Sequence, residues 1–108
     1  MQAPNYDVVS PREAYASYLM GSVLVDVRTK SEIENTKIPL NHLLTIPMEE
    51  LEGRISELPS DRRIIFFSRV GVKGEAAARL MAAHGYPKVA LVDGGVTAWE
   101  QEGLPVQH

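Results

Sequence analysis

Short apolar runs recur along this chain every 20 to 25 residues or so, at Tyr6–Val9, Val23–Val27, Leu43–Ile46, Arg63–Phe67 and Val89–Val92, with helical patterns between them. Parallel neighbours need a crossover segment, and crossovers in one sheet are right-handed, so this rhythm predicts helices on both faces of a sheet. The expected fold class is therefore α/β, a three-layer sandwich around a mostly parallel five-stranded sheet. Val23–Val27 is interrupted only by Asp26, a run suited to a strand buried on both faces. Arg63–Phe67 is expected to be central.

The intervening segments carry their own punctuation. Ser10-Pro11-Arg12-Glu13 reads as an N-cap, a proline at the first helical position and a capping-box glutamate, so a helix starts at Pro11 and stops at Gly21. Thr29 caps a short helix through about Glu34. Met48, Leu51, Ile55 and Leu58 recur at helical spacing until Pro59. Glu75–His84 is a further helix, with Ala77, Leu80, Met81 and His84 on one face and Gly85 as its stop. Asp93-Gly94-Gly95 turns the chain into a last helix carrying Val96 and Trp99.

Composition narrows the class of partner. The 108 residues are read as one domain, 1–108, with an apolar fraction of 44% and a charged fraction of 23%, ordinary for a globular protein. Lys and Arg number 11 against 14 Asp and Glu, and no basic run offers a footprint for nucleic acid or anionic lipid. No stretch approaches the roughly 20 apolar residues that span a bilayer, and the first residues lack a secretory pattern, so a cytoplasmic location is expected. There is no cysteine, hence no disulfide and no thiolate metal site. His42, His84 and His108 show no metal-ligand spacing, and no nucleotide fingerprint appears, so neither metal nor cofactor is expected.

The chemistry concentrates in Ser68-Arg69-Val70-Gly71-Val72-Lys73-Gly74, between the central strand and the helix predicted from Glu75. Gly71 and Gly74 let backbone N–H groups turn inward, the helix adds the positive end of its dipole, and Arg69 and Lys73 bring mobile positive charge. Such a loop is an anion cradle. In an α/β sheet it also lies where ligands bind, beyond the C-terminal end of a strand.

Four blocks, in order, resemble the rhodanese-like family of single-domain sulfurtransferases. Val23-Leu24-Val25-Asp26-Val27-Arg28 is similar to the family's first core strand with its Asp-x-Arg ending. Ile64–Lys73 is similar to the active-site strand and loop, which in the family usually reads Cys-Arg-x-Gly-x-Arg-Ser. Leu91–Trp99 resembles the Leu-x-Gly-Gly-x-x-x-Trp block, and Gly103-Leu104-Pro105-Val106 the usual ending. The resemblance implies transfer of sulfane sulfur from thiosulfate or a protein persulfide, through a cysteine persulfide, to a thiophilic acceptor. It places Ser68 where that cysteine stands, Arg69, Val70, Gly71, Val72, Lys73 and Gly74 around the anion, and a small anionic donor or a protein persulfide or thiol as partner, in a monomer or weak dimer.

Three departures matter. A serine hydroxyl ionises far above neutral pH without an assisting base, and an S–O linkage does not reproduce persulfide chemistry, so no turnover is expected of the chain as written. Lys73-Gly74 replaces Arg-Ser, keeping a cation but losing the planar fork. Thr36–Asn41 keeps only Ile-Pro of the family's Gly-His-Ile-x-Gly-Ala segment. Two other readings stand beside the enzyme: a naturally non-catalytic module binding a protein or small anion, and a phosphatase or arsenate reductase relative, which generally uses a longer loop. Asp26 and Arg28 are expected to pair or cap at the strand end, Tyr86 and Trp99 to pack, and Asp93-Gly94-Gly95 to act as a turn.

Overall fold

The computed structural model describes residues 6–108. Five strands, β1 (Asp7–Val9), β2 (Val23–Asp26), β3 (Leu44–Thr45), β4 (Ile64–Phe67) and β5 (Val89–Val92), form one sheet in the order β1-β5-β4-β2-β3. Every pairing within it is parallel, so "mostly parallel" tightens to fully parallel among the described strands. β4 is central, as its unbroken burial requires.

Helices cover both faces. On one, α3 (Met48–Leu51) and α4 (Val72–Ala83) pack Leu51, Ala77, Ala78 and Met81 against Val25, Ile64, Phe66 and Leu91. On the other, α1 (Pro11–Leu19) and α5 (Gly95–Gln101) pack Ala14, Val96 and Trp99 against Leu24, Ile65, Phe67 and Val92. Strand residues alternate between the two clusters with period two, which is why the sequence runs are continuously apolar rather than alternating. Trp99 is 1% exposed and donates its indole N–H to the Pro105 carbonyl at 2.8 Å, joining α5 to the segment after it.

The capping signals act as their chemistry dictates. Ser10 Oγ accepts from Glu13 N–H, and Glu13 accepts from Ser10 N–H, closing the predicted box at Pro11. Thr29 and Glu32 form the same reciprocal box at α2 (Lys30–Asn35), a helix without buried residues.

Four expectations are corrected. Helix α4 starts at Val72, not Glu75, so Val72, Lys73 and Gly74 form its first turn and the loop proper is Ser68–Gly71. His84 is exposed at the helix end rather than on the apolar face, which Gly74, Ala77, Ala78 and Met81 supply. The helical pattern from Met48 to Leu58 divides into α3 and a tighter 3-10 segment, Glu52–Glu57. The first strand begins at Asp7 instead of Tyr6.

Two connections diverge at the centre. From β2 the chain passes through α2 outward to β3, whereas from β4 it passes through α4 to β5 on the other side. The crevice beyond the C-terminal ends of β2 and β4 is thus a topological switch point, the place where open parallel sheets bind ligands.

Candidate functional site

Ser68 follows β4 directly and is 2% exposed. Its Oγ accepts two backbone hydrogen bonds, from Gly71 N–H at 3.0 Å and from Gly74 N–H at 3.2 Å. The chain must curl back on itself for both amides to reach one atom. Gly71 provides the turn with φ 111°, a left-handed value that glycine adopts without a Cβ penalty, and it is the N-cap of α4. Gly74 N–H is one of the first amides of α4, free of any partner within the helix and therefore available to Ser68. The inward-turned amides expected of the loop are present, with those of Gly71 and Gly74 aimed at the side chain of Ser68.

The start of α5 clasps the same loop from behind. Val96 N–H donates to the Ser68 carbonyl at 2.8 Å and Thr97 N–H to the Arg69 carbonyl at 3.0 Å. This close approach depends on Gly95, where an added Cβ would run into the Ser68 carbonyl oxygen and lie 2.9 Å from the Arg69 carbonyl carbon. The Gly94-Gly95 pair therefore holds the loop as well as turning the chain. Sequence reasoning treats it as a turn first, because the contact it enables is distant along the chain. Within α4, a Cβ at Gly74 would lie 2.6 Å from Leu91 Cδ1, so this position seats the helix closely against β5 in addition to offering its amide.

At the end of β2, Asp26 and Arg28 form a buried pair, 1% and 2% exposed. Arg28 Nε and Nη2 donate to both carboxylate oxygens of Asp26 at 2.8 to 3.1 Å, and Arg28 N–H adds a further bond to Oδ1 at 3.0 Å. The remaining fork nitrogen, Nη1, reaches the Glu32 carbonyl at 3.3 Å. The guanidinium is consumed in holding α2 beside the loop.

The opening above Ser68 is a cavity of about 250 Å³ lined by Glu32, Ser68, Arg69, Val70, Val72 and Lys73. Arg69 and Lys73 flank it, and Val70 and Val72 are exposed on its rim. Glu32 is the member that sequence reasoning misses. Thr29-Lys30-Ser31-Glu32 signals a capping box, but nothing local shows that its carboxylate reaches Arg69 Nε at 3.7 Å and Lys73 Nζ at 3.9 Å. The Thr29 backbone N–H, the Thr29 hydroxyl and the charges of Lys73 and Arg28 outweigh desolvation and hold the Glu32 carboxyl below the usual carboxylate range.

His42 is remote from this opening. It lines a cavity with Val23 and Leu44, the first residues of β2 and β3, at the opposite end of the sheet, and His84 lies at the far end of α4. Neither is among the cavity's lining residues that could serve Ser68 as a base. Among the described residues no group of His, Cys, Asp and Glu is arranged to hold a metal ion, and no helix is long and apolar enough to cross a membrane.

An atom at the Ser68 Oγ position thus receives two N–H dipoles at the N-terminus of a twelve-residue helix, with two cations at the rim. That arrangement favours negative charge there.

Comparison with known proteins agrees with this architecture. The family model described as "Rhodanese-like domain" matches residues 10–102. A sulfurtransferase of Allochromatium vinosum is 37% identical over 84 residues, covering 78% of this chain and 77% of that one. A thiosulfate sulfurtransferase, GlpE, of Pseudomonas syringae pv. syringae is 29% identical over 91 residues, covering 84% of each. The solved structure of a rhodanese-related protein from Thermoplasma volcanium superposes with a TM-score of 0.83 at 24% identity, covering 94% of this chain and 98% of that one. Other matches are to longer proteins, of which this chain spans 62%, 40% and 37% for three curated relatives and 16% for one solved structure. The matched segment runs from the cap of α1 to the end of α5 and includes every element that builds the cradle, so the chain belongs to the rhodanese-like domain family.

Proposed function

We propose that this chain is a sulfurtransferase scaffold whose cradle receives sulfane sulfur at position 68, and that with serine there it binds the anion without turning it over. The observation that carries this reading is the pair of amides, from Gly71 and Gly74, converging on Ser68 Oγ at the switch point of the sheet. With a cysteine at 68, the thiolate would attack the outer sulfur of thiosulfate. The S–S bond breaks, its electron pair leaves on sulfite, and a persulfide stays on the loop. A thiophilic acceptor then takes the outer sulfur and the thiolate returns. The N–H donors stabilise both anionic states, while Arg69 and Lys73 draw the donor in.

Serine cannot follow that course. Its hydroxyl needs a base, and the one carboxylate lining the cavity, Glu32, is engaged with Thr29 and the two cations. The absence of any cysteine fits an inactive form. A second reading, an anion-binding module without chemistry, is favoured by how well serine fits: it is buried, its hydroxyl is satisfied, and the cradle around it is complete.

Thiosulfate-to-cyanide sulfur transfer, assayed on this chain and on Ser68→Cys side by side, separates the two. Activity confined to the variant supports the sulfurtransferase scaffold. Silence in both, with retained anion binding, supports the module.

A further inference from the structure

Glu32 is an anion built into a site suited to anions. Its placement is fixed on three sides: Thr29 N–H and Oγ1–H donate to Oε1 at 3.0 and 3.1 Å, and Arg28 Nη1 holds the backbone carbonyl at 3.3 Å. Oε2 then faces Arg69 Nε, and Oε1 faces Lys73 Nζ. Arg28 contributes no free charge to the cavity, because Asp26 takes both of its other fork positions. The cavity rim therefore carries two cations and one fixed carboxylate, leaving a single net positive charge.

We infer that Glu32 tunes the charge preference for the sulfur donor, narrowing the advantage that Arg69 and Lys73 would otherwise give doubly charged thiosulfate over singly charged thiosulfonates and persulfides. This rests on the cradle reading above and deepens it. An incoming anion must share Arg69 and Lys73 with a carboxylate that cannot swing away without abandoning its capping box. Repulsion from that carboxylate scales with the charge of the ligand, so the dianion loses roughly twice what the monoanion loses. Arg69 and Lys73 are themselves substantially exposed, their side chains 67% and 44%, so the penalty is screened.

The test uses the serine chain itself, which binds without reacting. Titration calorimetry with thiosulfate and with benzenethiosulfonate is compared between the unmodified chain and Glu32→Gln, a change that keeps an oxygen for Thr29 N–H. Thiosulfate affinity is expected to rise roughly three- to tenfold in Glu32→Gln, and benzenethiosulfonate affinity by a clearly smaller factor. Combining Glu32→Gln with Lys73→Gln restores the original net charge and is expected to restore the original ratio of affinities, which guards against a folding artefact in the single variant. Equal gains for both anions, or no gain for thiosulfate, overturn the role of Glu32 while leaving the cradle intact. Failure of every chain to bind either anion overturns the cradle and this inference together.

Discussion

At the N-terminal ends of the strands, Tyr18, Leu19, Val23, His42, Leu44 and Arg62 help enclose a cavity of about 470 Å³. At the C-terminal ends, the opening over Ser68 is about 250 Å³. The larger space is bounded by strand starts and by a helix end, where amides are already spent on the sheet and carbonyls point outward. The smaller one gathers the Gly71 and Gly74 amides at the start of α4 and the clasp of α5 around one side chain. Strand direction, rather than size, distinguishes the two ends: in a parallel sheet every crossover helix presents its N-terminus near the C-terminal edge, so dipoles and unpaired donors collect there.

Substitutions at the two ends should therefore differ sharply. The largest loss is expected from Arg28→Met, which strands the Asp26 carboxylate in a site that is 1% exposed; urea unfolding should show a destabilisation of about 3–5 kcal/mol, largely recovered when Asp26→Leu is added. A smaller loss with the double change than with the single one is the signature of a pair whose cost lies in burial of an unmatched charge. Gly95→Ala comes next, at about 2–4 kcal/mol, because it adds a clash with two loop carbonyls to a residue at φ 59°. Anion binding should fall with it, whereas a purely local strain would leave binding in the folded fraction unchanged. Ser68→Ala removes the acceptor shared by Gly71 and Gly74 N–H and should cost about 1–3 kcal/mol by the same assay. At the other end, Met20→Ser, at a side chain 88% exposed, should change stability by no more than about 0.5 kcal/mol; a larger shift would mean that this end is more organised than its contacts indicate.

The same contrast explains what could be read from the residues alone. The strands were legible because burial on both faces forces long apolar runs, and the starts of α1 and α2 because Ser10 and Thr29 cap them through local hydrogen bonds. The loop from Ser68 was legible through its glycines and cations. The start of α4 was not, since Val72 is β-branched and Gly74 is a poor helix former; the turn there is stabilised by Gly71 as N-cap, by bonding to Ser68 and by packing on Leu91. Glu32 and Gly95 escaped for a related reason. Each acts on a segment far along the chain, and a capping box or a Gly-Gly turn accounts for them locally without revealing that second contact.

An electrostatic cradle for negative charge at position 68 should shift the ionisation of a thiol placed there. The most direct test is the ionisation of the thiol in Ser68→Cys, followed as the pH dependence of alkylation by neutral iodoacetamide. The two amides, the α4 dipole and the cations predict a midpoint below the ordinary thiol value of about 8.5 despite burial. A midpoint at or above that value would show that desolvation dominates and that the loop does not stabilise an anion.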